Sequence, residues 1–284
     1  MKKILLLPTL LLISISLFSQ TPTIFSHTTK NNHEIVLLAE GQGVMPMNVL
    51  IDVTPEILAE TMPDNIYQSA TNVYLIRVNT GKKLMIDAGL GRRLQSNLQS
   101  QNILPCRIDA IFITHMHFDH IGGLIDEAGT KLFPNAYIYV SQYDYDFFYI
   151  EQPQTDREKQ VYTIVNTYRD KLVLFDSNAK VFYDIVKPLP NYGHTPGHTV
   201  YLIDNDMLIW GDMVHAMQVQ MPYPTVSATF DVDNKKAVEA RLKMLKYIVD
   251  HNFFVGGMHI PYPGMGTLKS NGKQGYIFTP MNQK

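Results

Sequence analysis

The stretch Ile113-Thr114-His115-Met116-His117-Phe118-Asp119-His120-Ile121-Gly122-Gly123 decides how the chain is read. Apolar residues from Ile108 to Ile113, broken by Asp109, precede it and read as a buried β-strand that stops where the polar residues begin. Three histidines and a carboxylate then fall within six residues. A strand that ends in a turn throws alternate side chains the same way. His115 and His117 can therefore face one centre while Asp119 and His120 address a neighbouring one. Imidazole and carboxylate together suit zinc and similar divalent ions.

Working outward, seven of the ten histidines lie in four short stretches, each at or beyond the end of an expected strand. The other three stretches are Tyr192-Gly193-His194-Thr195-Pro196-Gly197-His198-Thr199, Trp210-Gly211-Asp212-Met213-Val214-His215 and Gly256-Gly257-Met258-His259-Ile260-Pro261. Glycines before the candidate ligands allow close approach to an ion. Asp87, in Asp87-Ala88-Gly89-Leu90-Gly91, closes an expected hairpin built from 72–78 and 83–86.

The elements between these stretches read as strands at 34–38, 49–53, 136–140, 180–186, 199–203 and 207–210, with a helix over 94–104 and helices in the aromatic-rich section 141–175. Asp233 or Asn234 can cap a further helix with Val238, Leu242, Leu245 and Val249 on one face and its Lys and Arg residues in solvent. Two halves, each of strands then a helix, suggest two sheets face to face with helices outside. Residues 1–20, with Lys2 and Lys3 before an apolar run from Ile4 to Phe18, read as a signal peptide cleaved near Ser19 or Gln20, which leaves 21–284 as one domain. That run is short for a membrane span, so a periplasmic or secreted protein without stable membrane anchoring is expected. Cys106 is the only cysteine and follows Pro105 before the strand, so no disulfide within the chain is available and the residue is assigned no chemistry. The formal charge of −2 falls to −4 without Lys2 and Lys3, and no basic stripe is present for a nucleic-acid backbone.

The order His-x-His-x-Asp-His, Gly-His-Thr-Pro-Gly-His-Thr, Gly-Asp and a late His, from about Asn72 to Gly266, resembles the metallo-β-lactamase superfamily. The stretches 211–215, 230–233 and 259–266 are similar to its secreted branch containing methyl parathion hydrolase and N-acyl homoserine lactonases. The resemblance implies an α/β (α+β) fold, an αββα sandwich of two mixed β-sheets flanked by helices, with two divalent metal ions, zinc first among them, at one edge. It implies that His115, His117 and His194 hold one ion, that Asp119, His120 and His259 hold the other, and that Asp212 bridges them. Asp87 and His198 become hydrogen-bonding neighbours of the ligands. Where many lactonases of the superfamily carry a tyrosine that faces the substrate carbonyl, this chain has His215, a candidate donor to the developing oxyanion.

Two cations about 3.5–4 Å apart can share a water and lower its pKa enough to supply a bridging hydroxide near neutral pH. Asp119 can orient that nucleophile and pass a proton to the leaving group. The expected protein is thus a metal-dependent hydrolase that opens lactone rings, with N-acyl homoserine lactones, the substrates of quorum quenching, as the leading small-molecule class. Phosphotriester hydrolysis remains open because the same nucleophile attacks phosphorus. A β-lactamase is less favoured, Lys269 being the nearest late lysine that could hold a carboxylate. Phe147, Tyr223 and Phe230 are the candidate pocket residues. Other readings are a metal-binding module without catalysis, which chelation and metal re-addition would separate from an enzyme, and a flavodiiron-like protein, for whose extra flavin domain the chain has no room. A homo-oligomer is compatible with all of them.

Overall fold

The computed structural model describes residues 25–282 except 46 and 65, so the expected signal peptide at 1–20 lies outside the described residues. One sheet has seven strands in the order β1 (Ser26–Thr28), β2 (Glu34–Met45), β4 (Tyr67–Arg77), β5 (Lys83–Ile86), β6 (Ala110–Phe112), β7 (Tyr137–Ser141) and β8 (Leu172–Phe175). β3 (Leu50–Ile51) pairs instead with β12 (Ser227–Ala228) in a short ribbon. The second sheet has six strands, ordered β15 (Tyr276–Pro280), β14 (Met265–Ser270), β13 (Phe254–Gly256), β11 (Met207–Ile209), β10 (Thr199–Ile203) and β9 (Val186–Pro190). Both sheets are mixed: β5, β6, β7 and β8 run parallel, as do β11 and β13, and the remaining pairs are antiparallel.

Period-2 alternation makes this a four-layer stack. Tyr74, Ile76, Ile86 and Phe112 of the first sheet meet Tyr201, Ile203, Met207 and Ile209 of the second in a shared core. Leu75, Met85 and Ile111 point the other way, under α2 (Leu94–Ser100) and α5 (Asp156–Thr167). Val200, Leu202 and Leu208 likewise face α7 (Asn234–His251). The central strands are buried on both faces, which is why they read as continuous apolar runs. No helix among the described residues is long and apolar enough to cross a membrane.

Two expectations shift. The segment expected as a strand at 180–186 is mostly turns, and the strand begins at Val186. In α7 the buried face is Ala237, Arg241, Met244, Leu245 and Ile248. Val238, Leu242 and Val249 are only half-buried, because an arginine occupies the middle of the inward face. Within the polar section a capping box of Thr155 and Glu158 starts α5, and β8 adds an edge strand there.

β2 breaks register between Ala39 and Gly41, and the bulge turns Glu40 inward. The Glu40 carboxylate accepts from the backbone N–H groups of Leu90 (2.6 Å), Gly91 (3.2 Å), Arg93 (3.1 Å) and Leu94 (3.0 Å). α2 has no side-chain cap of its own, so Glu40 satisfies its first donors from another strand. Glu40→Ala is expected to cost about 3 kcal/mol by leaving buried donors unpaired; the midpoint of urea unfolding, at unchanged m-value, measures it.

Candidate dinuclear metal centre

Each ligand loop leaves the end of a strand on the same edge of the stack. His115 and His117 follow β6, with Asp119 and His120 in the single turn of α3 (Phe118–Ile121). His194 lies between β9 and β10, Asp212 just after β11, and His259 just after β13. Of three groups of side chains that could hold an ion, two contain these residues: His115, His117, His194 and Asp212, and Asp119, His120, Asp212 and His259; the third is His194, His215 and Asp231. All seven expected ligands are therefore brought together. Asp212 is the member common to both groups.

The hydrogen bonds behind these imidazoles set which nitrogen faces inward. His194 Nδ1 donates to Asp231 (2.9 Å), His120 Nδ1 to Asp87 (2.6 Å) and His259 Nδ1 to the Ala70 carbonyl (2.8 Å). Each Nε2 is left with a lone pair toward the centre. There His194 Nε2 lies 3.1 Å from His115 Nε2 and 3.0 Å from His117 Nδ1, and the latter two are 2.9 Å apart. Asp212 Oδ1 sits 3.0 Å from His120 Nε2 and 3.2 Å from His259 Nε2, and its Oδ2 lies 3.4 Å from His194 Nε2. Lone pairs and carboxylate oxygens at such distances repel unless a proton or a cation stands between them. Divalent ions meet the demand of both groups at once, so these residues fit two metals.

The electrostatics agree. Burial and the neighbouring imidazoles hold His115 well below its ordinary value, a neutral ligand state. In the second group burial opposes protonation, but Asp212 and Asp119 outweigh it and push His259 up to about 9. The carboxylates there draw in positive charge, as a bound cation supplies.

The supporting residues are mostly remote in sequence. Asp87, in a left-handed conformation with φ of 60°, also accepts from the Thr114 N–H and hydroxyl, both at 2.7 Å. His198 donates through Nδ1 to the Asn191 carbonyl (3.1 Å) and accepts the Asp212 N–H on Nε2 (3.0 Å). It stays outside both groups and positions the bridging carboxylate's backbone. The glycines serve the protein rather than the ions: at Gly211 (φ 53°) an added Cβ would stand 2.7 Å from His198 Nε2, and at Gly193 2.1 Å from the Ala237 backbone.

Asp144, fully buried in α4 (Gln142–Phe148), was not legible as a site residue. It accepts from Met116 N–H (3.1 Å), Thr195 hydroxyl (3.0 Å) and Gly197 N–H (2.6 Å), and so ties the His115–His117 loop to the His194 loop. Burial pushes its carboxyl up to about 6 against those hydrogen bonds. Asp144→Asn presents an amide N–H to one of these donors and is expected to weaken metal retention about tenfold. Competition with a chromogenic chelator reads that change.

A cavity of about 810 Å³ opens over the centre, lined by His117, Asp119, Asp212, His215 and His259 on its floor. Phe147 and Phe230, expected pocket residues, line it with Phe118, Phe148, Ile150 and Met45. Tyr223 does not; its hydroxyl bonds Glu60 at 2.5 Å and it borders a separate surface hollow. His215 is buried with Nε2 3.3 Å from Asp212 Oδ2, its ring near Phe230 with centroids 5.4 Å apart, and no hydrogen-bond partner at either ring nitrogen among the described residues.

A sequence profile of the metallo-β-lactamase superfamily matches residues 66–250. Among solved structures, the chain is similar to the hydrolase AbOPH of the β-lactamase superfamily, with TM-score 0.82 and 25% identity over 92% of this chain and 98% of that one. The dizinc quorum-quenching lactonase AidC, solved with the product N-hexanoyl-L-homoserine, gives TM-score 0.81 and 25% identity over the same shares. Among curated proteins, hydroxyacylglutathione hydrolase of Buchnera aphidicola is 28% identical over 129 residues, 45% of this chain and 41% of that protein. Exodeoxyribonuclease WalJ of Streptococcus pneumoniae is 47% identical over 58 residues, 19% of this chain and 22% of that protein. The chain thus matches less than half the length of either curated relative.

Proposed function

The chain belongs to the metallo-β-lactamase superfamily, and from that membership and its paired ligand groups we propose that it is a dinuclear metal-dependent hydrolase of neutral esters. The observation that carries this is Asp212, whose two oxygens face the two ligand groups from one cavity floor. When bound, two divalent ions, zinc in this proposal, supply an activated water and a Lewis acid for the substrate oxygen. Asp119, 35% exposed and lining the cavity, accepts the proton of the attacking water and returns it to the leaving oxygen. His215 acts through the Asp212 carboxylate it faces. The apolar wall excludes water and binds an apolar substrate arm. Asp119→Asn and His215→Phe test the two roles by kcat at constant metal content.

Two substrate classes are in view. An N-acyl homoserine lactone suits a cavity far larger than its ring, with Phe147, Phe148 and Ile150 along the acyl chain, and AidC is a lactonase of the same fold. A phosphotriester is supported by an apolar wall that also suits aryl and alkyl ester groups, and the hydrolase AbOPH is as similar to the chain as AidC is. Ring-opening of short- and long-chain N-acyl homoserine lactones by the zinc-loaded protein, run beside an aryl phosphotriester and a chromogenic β-lactam, decides between them. Turnover of neither class would sink the proposal. Residues 1–20 enter it as an export signal preceding one domain, 21–284; N-terminal sequencing of the exported protein checks that cleavage.

A further inference from the structure

Tyr67 opens β4 and is 1% exposed. Its ring is locked in a satellite core with Val49, Leu50, Met62, Ala216, Val219 and Val226, so its direction is set by packing. It lines the cavity over the metal centre together with Asp119, Asp212, His215 and His259. Ser69, two residues on, also lines the cavity wall. Tyr67 thus brings a phenol O–H proton to the wall of the space a substrate would fill. Burial and the nearby Asp212 charge both raise its pKa well above the ordinary phenol value, which keeps that proton in place.

The reaction needs such a donor. As water adds to an ester, negative charge develops on the carbonyl or phosphoryl oxygen, and a donor fixed beforehand at that oxygen costs no reorganisation. His215, the other candidate donor at the cavity, faces the Asp212 carboxylate with Nε2 3.3 Å from Oδ2, and neither of its ring nitrogens has a hydrogen-bond partner among the described residues.

We propose that Tyr67 is a catalytic residue that donates its O–H to the scissile carbonyl or phosphoryl oxygen of the bound ester. The inference rests on the hydrolase reading above. For a lactone, the water oxygen bonds to the carbonyl carbon and the carbonyl π pair moves onto its oxygen, held by Tyr67. The pair then returns as the ring C–O bond breaks. The departing alkoxide takes the proton that Asp119 removed from the water, and Tyr67 keeps its own proton throughout.

Tyr67→Phe in the zinc-loaded protein removes the hydroxyl and leaves the packed ring. Expected is a fall in kcat of about a hundredfold on an N-acyl homoserine lactone, with KM within about threefold. On the thionolactone, whose sulfur is a weak acceptor, the loss is expected to be under about fivefold. An unchanged kcat, or equal losses on both substrates at two metals per chain, overturns the assignment. A measurement independent of turnover is calorimetric binding of the unreactive γ-lactam bearing the same acyl chain. Affinity is expected to fall about tenfold in Tyr67→Phe, one hydrogen bond's worth. Equal affinity, or no lactam binding by the wild type, overturns it. If the wild type binds lactam through Tyr67 yet opens no ester, the hydrolase reading fails while the donor assignment stands.

Discussion

Asp212→Ala is expected to reduce bound metal from two ions per chain to fewer than one and to lower kcat by roughly four orders of magnitude, about 5.5 kcal/mol of transition-state stabilisation. The size follows from position. His120 and His259 Nε2 lie 3.0 and 3.2 Å from Asp212 Oδ1, and His194 and His115 Nε2 lie 3.4 and 3.7 Å from Oδ2. One carboxylate thus carries the shared negative charge of both groups. Removing it leaves two cations with only Asp119 as an anionic ligand, so their mutual repulsion is no longer screened. Asp212→Asn keeps the shape without the charge and is expected to retain one ion at most. Elemental analysis of the purified variants beside kcat separates the cases, and full activity with two ions in Asp212→Ala would refute the bridging role.

The candidate ligand cluster was legible because metal binding restricts residue type and local spacing together: His115, His117, Asp119 and His120 fall within six residues after β6, and each remaining member follows a strand. His198 was legible because it lies within the second of those motifs, and Asp87 because it ends a strand beside glycines. The residues that hold those loops in place were not. Asp144 meets Thr195 across 51 positions, and Glu40 reaches Leu90 across 50, through contacts that only the folded layers create. Tyr67 has no motif around it and lines the cavity because β4 begins there. Tyr223 fails the other way: an aromatic near the motifs, it is drawn to Glu60 instead. Arg241 was assigned to solvent because charge is the usual mark of an outer helix face, and burial reverses that only where several acceptors wait.

Those acceptors give the second large effect. Arg241→Met is expected to destabilise the folded chain by about 4 kcal/mol, lowering Tm by about 10 °C. The guanidinium, 1% exposed, donates through Nε to the Met213 carbonyl (2.6 Å) and through one NH₂ group to the carbonyls of Pro224 (3.0 Å) and Val226 (2.7 Å). Burial brings its pKa down to about 10, with Asp231 opposing that fall. The charged partner is the lesser part of the account. Asp231 lies 3.8 Å from the guanidinium, beyond hydrogen-bond length, and already accepts from His194 (2.9 Å) and the Ala228 N–H (3.3 Å). Loss of Arg241 therefore strands the Met213 and Pro224 carbonyls, while the Val226 carbonyl keeps its bond from Gln220 Nε2 (3.0 Å) and Asp231 is not stranded. Adding Asp231→Asn to Arg241→Met is accordingly expected to recover under about 1 kcal/mol; a recovery of half the loss would show that the buried charge pair dominates. Arg241→Lys, which keeps the charge but cannot span three carbonyls, is expected to lose about half as much as Arg241→Met. Because those carbonyls belong to the loops after Asp212 and before Asp231, both Arg241 variants are also expected to hold metal less tightly, which ties the stability of α7 to the geometry of the metal centre.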